Sequence, residues 1–213
     1  MPRTLVVVAL ALLAACGGAR PAEQAAPAAP SRPLAGLAGQ RVLVAPLFVI
    51  REGDALGWAA QIPRQAEFRR TIEEEIAFAL RDRGAGTTWV MPEQLVRYYQ
   101  RNPTTSPDPG ALAAGPLRAA SLQPGARLTE PLASQLRTLV ALHDARLVLL
   151  PVELSFEPAG GTMGRASLRL VLADARTSDV RWVGQVKSDS SATFSRALPA
   201  SLAIRLADLV AAP

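Results

Sequence analysis

Three segments near the end of the chain alternate apolar and polar side chains with a period of two, which is typical of β-strands with one buried face. These segments are residues 146–157, 164–175 and 180–189. The link between the last two, residues 176–179, is short enough to predict an antiparallel hairpin. An earlier run, residues 41–50, is almost continuously apolar and predicts a strand covered on both faces. Residues 87–91 predict a further short strand.

Four other segments carry apolar residues at the three- and four-residue spacing of amphipathic helices. They are residues 64–83, 92–99, 129–142 and 195–211. The resulting order, β-α-β-α-α-β-β-β-α, predicts the α+β class: a two-layer sandwich in which a mixed sheet of about five strands packs against about four helices. The proline-rich residues 102–127 fit neither period, and we expect them to form a functional or mobile loop.

The first residues follow a different pattern. A cationic start at Arg3 precedes an apolar run, residues 5–13, which is shorter than the roughly 20 residues that a membrane-spanning helix needs. The run ends in Leu-Ala-Ala-Cys at residues 13–16, which resembles the lipobox of bacterial lipoproteins. That resemblance implies a signal peptide over residues 1–15, a lipid on Cys16, export, and attachment to the periplasmic face of the outer membrane. The alternative is an ordinary secretory signal followed by a chance cysteine.

The segment after Cys16 is rich in Gly, Ala and Pro, and its only large apolar residues are Leu34 and Leu37. It therefore has too little apolar surface to offset the entropy of ordering, and we expect residues 16–40 to be a disordered tether. Residues 41–213 are then a single α+β domain. Because Cys16 is the only cysteine, a chain acylated there has no disulfide, and its fold depends on packing alone.

The chain has a formal net charge of +5, and its 23 Lys and Arg residues include only one lysine, Lys187. The arginines are scattered along the sequence, and Arg69 and Arg70 are the only adjacent pair. Nucleic-acid and anionic-lipid sites gather their cations in a stripe. The scattered pattern predicts a solvated surface without a nucleic-acid partner.

The chain carries few candidate catalytic residues. The single histidine, His143, excludes a zinc site of the H-E-x-x-H kind, and the glycine clusters match no phosphate-binding motif. A hydrolase using His143 is one alternative, but the chain lacks a G-x-S-x-G elbow, and His143 lies at a predicted helix end, where it would serve as a cap. We therefore expect no enzyme activity, metal or cofactor. Glu153 could belong to a polar site, although its sequence context indicates no partner.

The tryptophan at position 58 is a candidate contact residue. It lies in a predicted loop, residues 51–63, and the loop also contains Asp54 and Gln61. Exposed tryptophan is enriched at the centres of protein interfaces. Two alternatives remain for Trp58: it folds back onto the domain, or it contacts a partner together with Asp54 and Gln61.

Several segments resemble an α+β domain shared by the TolB amino-terminal domain, the penicillin-binding-protein activator LpoB and the curli lipoprotein CsgG. These segments are residues 41–48, the helix with Ile72, Ile76 and Leu80, residues 145–154, and the hairpin at residues 174–182. The resemblance implies a protein-binding domain. The chain lacks the propeller repeats of whole TolB and the long insertions that a curli-type pore needs.

The expected function is therefore a lipid-anchored periplasmic protein-binding module, an accessory or scaffold factor in cell-envelope assembly or cell-wall synthesis. The alternative is an auxiliary lipoprotein of an envelope transporter that binds lipid or a small apolar ligand, and a deep apolar cavity would be its mark.

Overall fold

The computed structural model describes residues 33–37 and 39–210. The α+β prediction is confirmed: the structure has four α-helices and a mixed sheet of five strands. The helices are α1 (Gln65–Asp82), α2 (Pro92–Arg101), α3 (Leu132–Leu142) and α4 (Ala197–Val210). The strands are β1 (Val42–Val44), β2 (Val49–Ile50), β3 (Leu147–Gly160), β4 (Met163–Asp174) and β5 (Asp179–Lys187). Cys16 and the predicted signal peptide lie outside the described residues.

The long strand β3 organises the sheet, whose order is β1-β3-β4-β5. Both β1 and β2 pair in parallel with the same edge of β3, while β4 and β5 follow on its other side as antiparallel strands. The predicted hairpin at residues 176–179 joins β4 to β5. The single strand predicted at residues 41–50 is divided around Pro46, which has no N–H for a ladder hydrogen bond. The strand predicted at residues 87–91 is reduced to one bridge, between Leu43 and Val90.

A β-bulge between Pro151 and Glu153 reverses the alternation of β3. Before the bulge, Leu149 faces the apolar cluster that includes α1 and α4, and beyond the bulge Leu154 faces the same cluster. Val148 and Leu150 face a second cluster on the other side of the sheet. The strand therefore contributes large side chains to both faces.

The second cluster adds to the predicted two-layer arrangement. It is closed by α3 and by the proline-rich segment, in which Leu112 and Leu117 are buried against the sheet. The segment forms two short 3-10 turns, Pro109–Ala111 and Gly115–Arg118. Helices or turns thus cover both faces at one end of the sheet, whereas the other end has the predicted two layers.

The start of the folded domain differs from the prediction. Leu34 is 1% exposed, and its N–H donates to the carbonyl oxygen of Leu209 at 3.2 Å. Leu37 is buried as well, and its carbonyl oxygen accepts from the indole N–H of Trp89 at 3.2 Å. The last residues of the predicted tether are therefore part of the domain, because these two leucines bury enough apolar surface to hold them there.

The helices follow the predicted periodicity with small changes at their ends. Gly84 follows α1 with φ of 89°, the left-handed conformation that favours glycine at the end of a helix. The third helix begins at Leu132 rather than at Thr129, although the carbonyl oxygen of Thr129 accepts from the N–H of Ala133 at 3.1 Å. Within the described residues, no helix is both long and apolar enough to cross a membrane.

Candidate functional site

A groove of about 300 Å³ opens between the first turns of α1 and the segment that leads into α4. The end of the predicted loop at residues 51–63 forms part of its wall. The lining residues are Ile62, Pro63, Arg64, Glu67, Phe68, Thr71, Phe194, Ser195, Arg196 and Pro199. The groove is therefore apolar at its floor and charged at its rim.

The floor belongs to a cluster of four aromatic rings. The Phe194 ring lies 5.5 Å from Phe68, 5.7 Å from Phe156 and 6.2 Å from Trp58, measured between centroids. Trp58 and Phe156 meet edge to face at 5.9 Å. These separations lie in the range where aromatic pairs attract each other beyond simple burial. The cluster fixes Phe68 and Phe194, the two rings that reach the groove.

Trp58 folds back onto the domain, which is the first of its two alternatives. The side chain is 5% exposed, and its ring lies directly over Gly164 of β4. A Cβ atom at Gly164 would lie 2.7 Å from the Cη2 atom of Trp58. The ring is therefore covered by the domain and supports Phe156 and Phe194, and contact between Trp58 and a partner stays a prediction.

Asp54 holds the loop that carries Trp58. Its carboxylate accepts hydrogen bonds from the backbone N–H groups of Leu56 at 2.8 Å, Trp58 at 3.1 Å and Ala59 at 2.7 Å. Partial burial alone would raise the pKa of Asp54, but these hydrogen bonds outweigh it and hold the pKa below the ordinary 3.8. Asp54 therefore positions the groove wall and makes no contribution to its lining.

Gln61, the third predicted contact residue, is exposed beside the groove. Its side-chain N–H donates to the carbonyl oxygen of Gly57 at 3.4 Å, at the long end of hydrogen-bond distances. The adjacent residues Ile62 and Pro63 line the groove instead. The predicted loop thus lies at the candidate site, but residues other than the three candidates form the lining.

The Asp54 contacts predict a pH-dependent effect on stability. Replacing Asp54 with asparagine should lower the free energy of unfolding by about 1–2 kcal/mol at pH 7, because a charged acceptor of three N–H groups is lost. The folded-state pKa is depressed, so the contribution of the carboxylate is present above about pH 4 and disappears as the pH falls through the folded-state value.

Urea unfolding of both proteins at pH 7 and pH 3 checks this expectation. The difference between wild type and Asp54→Asn should shrink at pH 3. The matched control is Asp82→Asn, since Asp82 is exposed and has no ion pair among the described residues. Equal differences at the two pH values would contradict the role given to the Asp54 carboxylate.

The rim of the groove carries two arginines with different surroundings. Arg64 lies 3.5 Å from Glu67, and both side chains are exposed. Arg196 is exposed, and none of the ion pairs in the described part of the chain involves it. An anionic group entering the groove would therefore meet the guanidinium of Arg196 without displacing another carboxylate.

His143 is the C-cap residue of α3, as its position predicted. Its ring meets Tyr98 edge to face at 4.8 Å, and its Nε2 atom is buried without a hydrogen-bond partner in the described structure. Burial and the nearby Arg41 lower the pKa of His143 below 6.5, so the ring is neutral at pH 7. With the described residues, the ring makes none of the hydrogen bonds of a Ser-His-Asp triad.

Over residues 33–37 and 39–210, no group of three or more His, Cys, Asp and Glu side chains is placed to hold a metal.

Glu153 does have partners, which its sequence context did not show. Its side chain is 8% exposed, and its two oxygens lie 2.6 Å from Arg51 and 2.5 Å from Arg118. Arg51 precedes Glu153 by 102 positions in the sequence, and Arg118 precedes it by 35. The cluster joins β2, the proline-rich segment and β3 on the face of the sheet opposite α1 and α4.

Comparison with known proteins gives similarity at the level of structure only. No family model matches the chain, and no curated protein matches it. A PelC variant dodecamer from Paraburkholderia phytofirmans is 13% identical, with a TM-score of 0.41, over 82% of this chain and 91% of that chain. A second PelC dodecamer structure from the same organism is 12% identical, with a TM-score of 0.40, over 83% of this chain and 90% of that chain. The similarity to PelC is therefore distant and concerns the path of the backbone alone.

Proposed function

We propose that this chain is a lipid-anchored protein of the bacterial envelope whose domain binds a protein partner through the groove between α1 and α4. The observation that carries the proposal is the aromatic floor of the groove, formed by Phe68 and Phe194, beside Arg196 at its rim. Arg196 has no ion-pair partner among the described residues. The occupant is an extended segment that places an apolar side chain on the floor and a carboxylate against Arg196.

The dimensions of the groove suit such a segment. Sites for drug-sized molecules measure about 300–1,000 Å³, and this groove, of about 300 Å³, stands at the lower limit of that range. A volume of this size receives one or two side chains of an extended peptide. Aromatic residues and arginine are also the residue types that carry most of the binding energy at protein interfaces.

The lipobox supplies the second part of the proposal. A lipid on Cys16 would confine the domain to the membrane surface, where the effective concentration of an envelope partner is high. A weak contact through a small groove is then sufficient for function. This combination fits an accessory or scaffold factor in envelope assembly or cell-wall synthesis.

Binding of a lipid or small apolar ligand is the second candidate, because the floor of the groove is apolar. The space beneath Phe68 bears on the choice between the two candidates. It is bounded by Ile72, Leu154, Phe156 and Leu202, and the surrounding side chains fill it. An acyl chain needs a deep slot, whereas a peptide side chain needs only the outer groove, so the described core favours the protein partner.

Site-specific photo-crosslinking in the native envelope tests the proposal. A photoreactive residue at Thr71, inside the groove, should give a discrete protein adduct, whereas the same residue at Phe78, which is 70% exposed on another side of α1, should not give it. Filling the groove with Ser195→Trp should reduce the adduct at least tenfold. Ser190→Trp, which adds the same bulk at an exposed position outside the groove, is the matched control.

The identity of the adduct distinguishes the two candidates. A protein adduct that Ser195→Trp removes and Ser190→Trp preserves supports the proposal. A lipid adduct with the same dependence would replace it with the small-ligand function. An adduct that is insensitive to Ser195→Trp would contradict both.

A further inference from the structure

Within the described structure, the outer edge of β5 carries backbone groups that no other strand pairs with. The N–H of Ser188 donates to the carbonyl oxygen of Ala166 at 2.9 Å, which sets the hydrogen-bonding phase between β4 and β5. Because bonded positions alternate along an antiparallel pair, Gly184 and Val186 face β4, and Val183, Gln185 and Lys187 direct their N–H and C=O groups outward. No strand of the described structure lies beyond β5.

The described residues cover only the first part of this edge. The N–H of Gly125 donates to the carbonyl oxygen of Val180 at 2.8 Å, and the N–H of Val180 donates to the carbonyl oxygen of Ala126 at 2.8 Å. The register of β5 then shifts between Val180 and Trp182, and the covering segment does not continue beyond that point. The open part of the edge is therefore residues 183–187.

A positively charged sheet face borders the open edge. We call it the polar face; it consists of the cross-strand pairs Glu153–Arg169, Ser155–Ser167 and Glu157–Arg165, together with Gln185 and Lys187 on β5. Arg51 and Arg118 extend onto it through their ion pairs with Glu153. The polar face thus carries five cations and two carboxylates.

The carboxylates of the polar face are already paired. Glu157 lies 3.0 Å from Arg165 and 2.7 Å from Lys187. Arg169 instead donates to the carbonyl oxygens of Leu117 and Ala119, at 3.3 and 2.8 Å, so its charge has no carboxylate partner among the described residues. At the centre, Ser167 is 0% exposed, and its hydroxyl has no hydrogen-bond partner in the described structure. The face has an uncompensated positive charge.

The opposite side of the same edge is apolar. Trp182 of β5 is half-buried there, and its ring lies across Gly184 so closely that a Cβ at that glycine would be 2.0 Å from the Cζ2 atom. A strand added at the open edge would place alternate side chains on the two faces of the sheet. One set would meet the cations of the polar face, and the other would lie beside Trp182.

We infer that the open edge of β5 binds an extended acidic segment of a protein partner as an added strand, with acidic and apolar residues alternating along it. The added strand satisfies the outward backbone groups, which supply affinity, and the side-chain alternation supplies specificity. The inference rests on the proposal that the domain binds a protein, but it uses a surface separate from the groove.

The charge on the edge also identifies the occupant. A second copy of this chain pairing through β5 would bring its own Lys187 and polar face against those of the first copy. Like charges placed opposite each other destabilise strand pairing, and lysine on an edge strand is a recognised protection against self-association. An acidic partner reverses the sign of that interaction.

A peptide-binding experiment tests the inference without knowledge of the natural partner. The probe is a labelled peptide, about nine residues long, of alternating Glu and Val, and its control alternates Lys and Val. Fluorescence anisotropy with the purified full mature chain in detergent should show binding of the acidic peptide only. Raising the salt from about 50 to about 500 mM should weaken binding at least fivefold, because the attraction is partly ionic.

Two variants separate backbone pairing from charge. Gln185→Pro removes an outward N–H without removing a bond to β4, and it should weaken peptide binding at least tenfold while the circular dichroism spectrum and thermal midpoint stay close to those of the wild type. Gln185→Ala is its matched control and should bind within twofold of the wild type. Lys187→Glu should weaken binding at least fivefold.

Each other outcome counts against the inference. Equal binding by Gln185→Pro and Gln185→Ala would show that the peptide does not pair with β5. Binding of the Lys and Val peptide, or of neither peptide, would overturn the role of charge or of the edge itself. The groove variant Ser195→Trp should leave peptide binding unchanged. If the acidic peptide does not bind but the photo-crosslinked adduct at the groove still forms, only the inference about the β5 edge is overturned.

Discussion

Replacing Trp58 with alanine should lower the free energy of unfolding by about 3–5 kcal/mol, the range for truncating a buried large aromatic side chain. Trp58 is 5% exposed and contacts two other rings of the aromatic cluster, at 5.9 Å for Phe156 and 6.2 Å for Phe194. Its removal would leave a cavity beneath the groove, because the structure around a deleted core side chain relaxes only in part. Urea unfolding followed by circular dichroism measures the effect.

The matched control is Phe78→Ala. Phe78 is 70% exposed, so its truncation removes an aromatic ring without opening a cavity, and stability should change by less than about 0.5 kcal/mol. Crosslinking at Thr71 should also decline in Trp58→Ala, since Phe194 loses its support. A loss of stability near that of Phe78→Ala would mean that the ring is not packed as described.

Replacing Gly164 with valine should destabilise the domain nearly as much as Trp58→Ala does. We expect the free energy of unfolding to fall by about 3 kcal/mol through overpacking. The position accepts no side chain, because a Cβ there would lie 2.4 Å from the Cδ1 atom of Leu56 and 2.7 Å from the Cη2 atom of Trp58. Gly115→Ala is the reference substitution, since no heavy atom lies within 4 Å of a Cβ at Gly115. Thermal unfolding of the two variants gives the comparison.

The double variant Gly164→Val with Trp58→Ala tests whether the two residues act through one contact. Valine would occupy part of the space that the tryptophan leaves, so the double variant should lose less stability than the two single variants added together. Coupling of about 0.5–3 kcal/mol is usual for residues in contact. Strict additivity would indicate that the Gly164 effect comes from the clash with Leu56 or from the strand backbone rather than from the ring.

The helices and the long strands β3, β4 and β5 were predictable because they depend on local periodicity. The three strands at the end of the chain and the hairpin at residues 176–179 follow from spacing alone. The bulge at residues 151–153 leaves the hydrophobic pattern almost unchanged, because it is one extra residue in a strand of apolar side chains, and only Pro151 indicates an edge or bulge position there. Without the bulge, the second apolar cluster and the covered face at α3 could not be inferred.

The polar sites depend on contacts between distant segments. The arginines are scattered along the sequence, yet the sheet gathers Arg51, Arg118, Arg165 and Arg169 on one face. Arg165 and Arg169 lie at alternate positions of one predicted strand, so the period of that strand predicts their common face. Arg51 and Arg118 join them only through ion pairs with Glu153, which lies 102 and 35 positions later, and no local pattern indicates those contacts. The loop containing Trp58 was predictable as a loop, but whether its ring lay in or out depended on Gly164, which belongs to another strand.

The parallel pairing of β1 with β3 also sets the order in which the domain can fold. Val42 pairs with Leu147, 105 positions later, and no intervening strand of the described chain offers β1 a ladder. Contacts at such separation slow folding, because the entropy of closing the loop is lost before the contact stabilises it. If the chain crosses a membrane amino terminus first, as the resemblance of residues 13–16 to a lipobox implies, then β1, α1 and α2 emerge before the strand that completes the sheet. Arrival of residues 147–160 would then supply the strand with which both β1 and β2 pair.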